Sequence, residues 1–171
     1  MLILAICGSL QAKSSNLTLL QAAAAKAPAG VQVELYDGLR NLPHFNPDLA
    51  RADDDAGDHA PPAVLELRRA VARADALLIA MPEYGHSLPG SLKNAIDWLI
   101  GSGELEGKLV AITSAVAVVE RGRRGLAALR TTLAAVSARV AFQEPIARGP
   151  DFELELARML GLLVAADQDR A

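Results

Sequence analysis

Short apolar runs alternate with longer segments of helical periodicity from one end of the chain to the other. The short runs are rich in Val, Ile and Leu, which predicts strands that helices cover on both faces. The longer segments carry apolar residues three and four positions apart and many alanines, which predicts amphipathic helices. The predicted strands are Leu2–Cys7, Val31–Leu35, Ala76–Ala80, Leu109–Thr113 and Arg139–Phe142, and the predicted helices are Asn16–Lys26, Pro62–Arg73, Leu88–Leu99, Gly122–Ser137 and Phe152–Ala166.

Repeated strand–helix alternation predicts an α/β fold, a doubly wound parallel sheet between two layers of helices. Five strands favour the flavodoxin-like order 2-1-3-4-5, because a classical Rossmann domain needs a sixth strand. The 171 residues, without a repeat or a dividing linker, predict a single domain over 1–171. One extended loop runs from Asp37 to Pro61, and its acidic cluster Asp53-Asp54-Asp55 is expected to be a solvated surface segment.

Composition excludes several classes of protein. A hydrophobic content of 51% is too high for a disordered chain, and a net charge of −3 argues against a nucleic-acid binder. No apolar run approaches the roughly 20 residues that span a bilayer, and the first residues lack the basic start of a secretory signal. The one cysteine, Cys7, fits a reducing compartment, so a cytoplasmic location is expected.

The loop after the first predicted strand has the features of an anion site. It joins the carboxyl end of a strand at Gly8 to the start of a helix, where unpaired N–H groups and the helix dipole attract negative charge. Its hydroxyl and amide side chains suit a terminal monophosphate, since the glycine patterns of a dinucleotide fingerprint or a P-loop are missing. The alternative is that Ser14, Ser15 or Asn16 only caps the helix.

The loop after the third predicted strand is suited to a planar ligand. Strands 1 and 3 flank the switch point of the predicted order, so their loops are expected to face one crevice. Pro82 and Gly85 fix a turn whose backbone groups can contact the edge of a ring, and Tyr84 offers an aromatic surface.

The side chains in and near this loop also have simpler interpretations than ligand binding. Tyr84 and His86 could be ordinary surface residues, and Trp98 could belong to the core. Glu83 has no evident carboxylate partner for acid–base work, and the three histidines are scattered without metal-ligand spacing.

Two motifs resemble the NAD(P)H-dependent FMN reductase family, which includes small flavodoxin-like quinone, azo-dye and chromate reductases. Gly-Ser-Leu-x-x-x-Ser-x-Asn begins at Gly8, and Pro-Glu-Tyr-x-x-Ser-x-Pro-Gly-x-Leu-Lys-Asn-Ala-x-Asp-Trp runs from Pro82 to Trp98. The segment Asp37–Leu49 is similar to the family's loop after the second strand.

The resemblance implies that the chain binds FMN. The positions that match the family's phosphate loop are Ser9, Gln11, Ser14, Ser15 and Asn16, those that match the ring loop are Pro82, Glu83, Tyr84 and Gly85, and Ser114 matches the loop after strand four. Gln11 stands where many members have Arg, Gly85 where many have Asn, and the stretch Val116–Val119 replaces a loop that is usually glycine-rich.

The activity that the resemblance implies is hydride transfer from NAD(P)H to flavin and then to a quinone, azo compound, metal oxyanion or free flavin. The flavin carries that chemistry, so no catalytic side chain is expected. The family also implies a homodimer or homotetramer, and we expect the helix Leu88–Leu99, with Trp98, to contribute to the subunit contact or to lie near it. An aromatic content of 4% leaves few rings to cover a flavin, which predicts one open face.

Two alternatives stay open at this point. One is a non-enzymatic flavin-binding protein, an electron carrier or regulator with weakened FMN affinity. The other is a nucleotide-binding domain that has lost FMN, which Gln11 and Val116–Val119 suggest.

Overall fold

Five parallel strands form the central sheet, and two strands of two residues each form a small parallel pair. The computed structural model describes residues 1–50 and 60–169, so the predicted surface segment Asp53-Asp54-Asp55 lies outside the described residues. The strands are β1 (Leu2–Cys7), β2 (Gln32–Tyr36), β3 (Ala76–Ala80), β4 (Leu109–Thr113), β5 (Ala115–Val116), β6 (Arg139–Gln143) and β7 (Ile146–Ala147).

The main sheet has the order β2-β1-β3-β4-β6, which confirms the flavodoxin-like prediction because β6 is its fifth strand. All four neighbouring pairs are parallel. The carboxyl ends of the strands therefore lie along one edge of the sheet, with the loops after β1, β3 and β4 side by side.

Helices cover both faces of this sheet. They are α1 (Ser15–Ala25), α2 (Pro47–Ala50), α3 (Pro62–Arg73), α4 (Gly90–Ile100), α5 (Arg123–Ala135) and α6 (Phe152–Gln168). Because side chains alternate along a strand, Leu4 and Ile6 face the core formed with α3, α4 and α5. Ile3 and Ala5 face the opposite core, formed with α1 and α6. The chain is thus a three-layer α/β/α sandwich.

Most helix boundaries lie within one or two residues of the prediction, and two of the differences have a local backbone reason. α4 begins at Gly90 rather than Leu88, because Pro89 is the extended residue at its N-cap. α5 ends at Ala135 rather than Ser137, because Ser137 has a φ of 57° and a left-handed residue cannot continue a right-handed helix.

The predicted loop Asp37–Pro61 contains regular structure in its described part. A 3₁₀ turn covers Gly38–Asn41, and α2 follows at Pro47–Ala50. The intervening chain is fixed to α4, since the carbonyl of Pro43 accepts hydrogen bonds from Asn94 Nδ2 at 2.9 Å and from Trp98 Nε1 at 2.8 Å.

Trp98 lies in the interior of the chain. Its indole is almost fully buried, next to Ala60 and Val64, and the ring of Phe45 packs against it edge-on at 5.1 Å. The core interpretation of Trp98 is therefore confirmed, and this side chain is not available to a second subunit.

Two negative findings apply to the described residues, 1–50 and 60–169. No helix there is long and apolar enough to cross a bilayer. In the same residues, no group of three or more His, Cys, Asp or Glu side chains could hold a metal ion.

Glycine at position 8 allows the ends of β1 and β3 to approach each other. A Cβ on Gly8 would lie 2.7 Å from the Cβ of Met81, an atom that cannot move without the backbone. We expect Gly8→Ala to lower the free energy of unfolding by about 1–3 kcal/mol through overpacking.

Gly161→Ala is the matched control in a urea titration of both variants. A Cβ at Gly161, inside α6, meets open space, and alanine there should raise the free energy of unfolding by about 0.5–1 kcal/mol. A Gly8→Ala protein as stable as the native one would contradict the close-approach explanation.

Candidate functional site

A cleft at the carboxyl edge of the sheet has a volume of about 660 Å³. It lies between the loops after β3 and β4, with the start of α1 and the end of β7 at its margin. Volumes of this size are typical of small-molecule sites. Its lining residues are Asn16, Pro82, Glu83, His86, Ser114, Ala115, Val116, Ala117, Glu120, Arg121, Gly122, Arg124 and Arg148.

The start of α1 is fixed by two buried polar residues. Ser14 is the N-cap of α1, and its hydroxyl accepts a hydrogen bond from the N–H of Asn16 at 3.2 Å. The Asn16 side chain accepts from the N–H of Ala115 at 2.8 Å. Asn16 thus joins the first turn of α1 to the loop after β4.

Two other predicted residues of the first loop lie on a second cleft. Ser9 and Gln11 line a cavity of about 390 Å³ that faces the loop after β2, together with Tyr36 and Arg40. Burial is the main reason that the pKa of Tyr36 is raised to about 12, so its phenol stays protonated at neutral pH. Of the other predicted phosphate residues, Asn16 lines the main cleft and Ser15 lines a smaller cavity with Arg148 and Thr18.

A tight turn shapes the loop after β3. Tyr84 and Ser87 exchange two backbone hydrogen bonds, at 3.0 and 3.1 Å, around Gly85 and His86. Both central residues have positive φ angles, 56° and 62°, as a two-residue type I′ turn requires. The turn holds the Tyr84 side chain outward, with 57% of its surface exposed.

Glu83 links this loop to α5. Its Oε2 accepts a hydrogen bond from the N–H of Gly125 at 2.8 Å, and its Oε1 lies 3.1 Å from His86 Nδ1. The bond from Gly125 is the main reason that the pKa of the Glu83 carboxyl is lowered, with the His86 contact next. Glu83 is therefore a structural anion at neutral pH rather than an acid.

The partners of His86 determine where its proton lies. Arg124 can only donate, and its Nη1 is 3.2 Å from His86 Nε2, so Nε2 must accept. The other nitrogen, Nδ1, then carries the proton and donates it to the carboxylate of Glu83. His86 is exposed, as its surface interpretation predicts, but it also has two specific partners, Arg124 on α5 and Glu83 in its own loop.

The loop after β4 is more polar at the cleft than its apolar sequence suggests. Val116 is buried in β5, which pairs with β7, while Val118 and Val119 are largely exposed. Two charged residues of the following segment, Glu120 and Arg121, line the cleft beside Ala115, Val116 and Ala117.

Arg148 stands at the end of β7 beside the first turn of α1. Its Nη1 donates to the hydroxyl of Ser15 at 3.3 Å. Sequence reasoning passed over this residue and over Arg121 and Arg124. Arg148 could have been predicted to lie near the site, because it closely follows the last strand and all parallel strands of the sheet have their carboxyl ends at the same edge.

A family model described as NADPH-dependent FMN reductase matches residues 1–149. The NAD(P)H-dependent FMN reductase of Pseudomonas aeruginosa is 41% identical over 127 residues, which are 73% of this chain and 63% of that protein. The quinone reductase of Escherichia coli K12 is 32% identical over 124 residues, 71% of this chain and 63% of its own length. The chain thus spans less than two thirds of the length of these curated relatives.

Two solved structures share the fold. A flavoenzyme NAD(P)H:(acceptor) oxidoreductase from Paracoccus denitrificans has a TM-score of 0.72 and 28% identity, covering 98% of this chain and 95% of that one. An NADH:FMN oxidoreductase in its apo form has a TM-score of 0.72 at 21% identity, covering 96% and 89%, and supports the fold alone.

The link through Glu83 predicts a pH-dependent stability. A carboxyl whose pKa is lowered by folding stabilises the protein above its ordinary value, here 4.5, and loses that contribution as the pH falls through the lowered value. We expect Glu83→Gln to cost about 1–2 kcal/mol near neutral pH, and the difference from the native protein to shrink in acid.

Chemical unfolding of both proteins near neutral pH and in acid measures this difference. Glu153→Gln is the control, because Glu153 forms an exposed ion pair with Lys26 that is worth little. A Glu83→Gln difference that stays constant across the pH range would show that the carboxylate charge plays no part.

Proposed function

Because the chain belongs to the NADPH-dependent FMN reductase family, we propose that it is an FMN-dependent oxidoreductase. Its electron donor is NAD(P)H, and its acceptor is a small molecule: a quinone, an azo compound, a metal oxyanion or free flavin. The observation that carries this proposal is the meeting of both family motifs at one cleft, where Asn16 of the first loop lines the same space as Pro82 and Glu83 of the third.

The residues at the cleft fit the phosphate of FMN. The first turn of α1 directs backbone N–H groups toward the anion position. The Ser15 hydroxyl and the Arg148 guanidinium meet beside that turn, 3.3 Å apart, and both can donate to phosphate oxygens. Ser9 adds a further hydroxyl on the neighbouring side of the loop, where it accepts from the N–H of Gln11.

The residues of the loop after β3 also fit the planar flavin ring of FMN. Gly85 has open space where a Cβ would stand, so the backbone of the turn can be approached closely. Pro82 and the Glu83 backbone fix the direction of that turn, and Ser114 lies on the far side of the cleft. We assign ring binding to Pro82, Glu83, Tyr84, Gly85 and Ser114, and phosphate binding to Ser9, Gln11, Ser14, Ser15 and Asn16.

When bound, FMN supplies the redox chemistry, since its ring accepts hydride from the nicotinamide and later reduces the acceptor. The side chains contribute position and charge. The Glu83–His86–Arg124 chain holds the turn against α5 and keeps the imidazole proton at Nδ1. Tyr84 offers an exposed aromatic face at the rim, where the ring of a nicotinamide or quinone can stack.

We expect low specificity for the electron acceptor. Tyr84 is the aromatic residue on the loop after β3, whereas Trp98 and Phe45 pack against each other away from the cleft. A cleft with few aromatic side chains leaves one face of a bound flavin ring open to solvent. The nicotinamide and the acceptor can then exchange on that face, and neither is bound tightly.

We further propose that the chain works in the cytoplasm as a homodimer or homotetramer. The single cysteine supports a reducing compartment. Exposed apolar side chains include Tyr84, Val118 and Val119, which are close in sequence to residues that line the cleft, and Ile100 at the far end of α4. Apolar exposure of this kind is commonly covered by a partner.

The test of the function begins with FMN binding. We expect FMN to bind the purified chain, and Ser15→Asp to weaken that binding at least tenfold, because a carboxylate would face the phosphate at close range. Asp at the first position of α1 favours the helix, so the fold should survive. Ser15→Asn is the neutral control, and a fluorescence titration measures all three proteins.

The second part of the test is reduction. Anaerobic mixing of the FMN-loaded chain with NADPH or NADH should bleach the flavin absorbance rapidly, and addition of a quinone should restore it. Bound FMN that neither nicotinamide reduces would identify an electron carrier or regulator. A chain to which FMN does not bind would contradict the proposed function altogether.

Light scattering tests the assembly. We expect a mass of twice or four times 17.9 kDa at micromolar concentration. A monomer under those conditions would contradict the proposed oligomer without affecting the proposed chemistry.

A further inference from the structure

The anion site at the start of α1 has little positive charge of its own. From Gly8 to Asn16 the chain carries one cation, Lys13, which is exposed, and Gln11 is neutral. A phosphate monoester carries a charge of about −1.5 to −2 near neutral pH. Hydroxyls, amides and a helix dipole stabilise such a charge only in part, so a second cation is needed close by.

Arg148 lies in the right place to supply that charge. Its side chain lines the main cleft together with Asn16, and it also lines a smaller neighbouring cavity with Ser15 and Thr18. The guanidinium therefore sits over the first turn of α1. The 3.3 Å contact with the Ser15 hydroxyl places it within reach of an anion held by that turn.

The backbone of Arg148 is held firmly. Its N–H donates to the carbonyl of Val116 at 2.9 Å, and the N–H of Ile146 donates to the carbonyl of Ser114 at 3.0 Å. Ile146 is buried, which anchors β7 on the core. The strand pair β5–β7 therefore fixes the point from which the Arg148 side chain reaches α1.

The Arg148 guanidinium is not neutralised by a carboxylate among the described residues, so it can still bind an anion. Its hydrogen-bond partner among the described residues is a hydroxyl, which does not neutralise it. Other arginines of the chain are engaged differently: Arg158 pairs with Glu144 and Glu155, and Arg73 pairs with Glu34. A planar donor fork that is not neutralised by a carboxylate is well suited to phosphate oxygens.

We propose that Arg148 is a phosphate-binding residue of the cofactor site, and that it provides, from the far end of the chain, the charge that the loop after β1 lacks. This inference rests on the proposed function, since it takes FMN as the ligand. In this role Arg148 contributes to the preference for FMN over riboflavin, which has the same ring but no phosphate.

The test compares the two flavins on the full-length chain. We expect Arg148→Gln to raise the Kd for FMN about ten- to hundredfold, the loss that one charged hydrogen bond produces, and to change the Kd for riboflavin by less than about twofold. The Kd of Arg148→Lys for FMN should lie between those of the native chain and Arg148→Gln, because lysine keeps the positive charge but loses the planar set of guanidinium donors. The dependence of the FMN Kd on salt should also weaken in Arg148→Gln.

Arg139→Gln is the matched control. Arg139 is an exposed arginine at the start of β6, at the opposite edge of the sheet, so its loss changes the net charge equally. Thermal unfolding of the apo variants confirms that each is folded.

Each outcome separates the inference from the proposed function. If native chain binds FMN but Arg148→Gln leaves its Kd and salt dependence unchanged, Arg148 is not a phosphate ligand, while the proposed function stands. Equal losses for FMN and riboflavin would assign Arg148 to the architecture of the cleft and overturn the inference. If native chain binds no FMN, both proposals fail together.

Discussion

The close approach of β1 and β3 at their carboxyl ends is the contact on which the rest of the site depends. The N–H of Gly8 donates to the carbonyl of Ala80 at 2.8 Å, and the space beside Gly8 is too small for a Cβ because Met81 fills it. This contact sets the start of the loop before α1 against the start of the loop after β3. The helix terminus that we propose for the phosphate and the turn that we propose for the ring can then share one ligand.

Hydrogen bonds of polar side chains hold the other loops in place along the same edge of the sheet. Asn16 ties α1 to the loop after β4, and Glu83 ties the loop after β3 to α5. The pair β5–β7 brings Arg148 back to α1. Each link joins a loop to an element far away in sequence, so the fold as a whole holds the cleft. Loops fixed in this way can hold a cofactor while its open face exchanges substrates.

The strands and helices could be predicted because their signal is local. β1, β3 and β4 have the predicted bounds, since continuous apolar runs in a parallel sheet are recognisable without knowing their neighbours. The short elements were missed for the opposite reason. β5 and β7 have two residues each and are strands only because they meet, and the turn at Gly38–Asn41 has no periodicity to detect. For His86, sequence alone gave no partner, because Arg124 lies 38 residues away.

The sequence by itself determined the fold class, the strand order and two motif loops, because apolar periodicity and glycine, proline and cap residues act within a few positions of the chain. Only the tertiary structure decided which side chains meet. It separated Ser9 and Gln11 from Asn16, buried Trp98 and gave His86 its two partners. It also brought Arg148 to Ser15 across 133 residues. Such contacts depend on how loops at one sheet edge pack in three dimensions, and no local pattern in the chain encodes that distance.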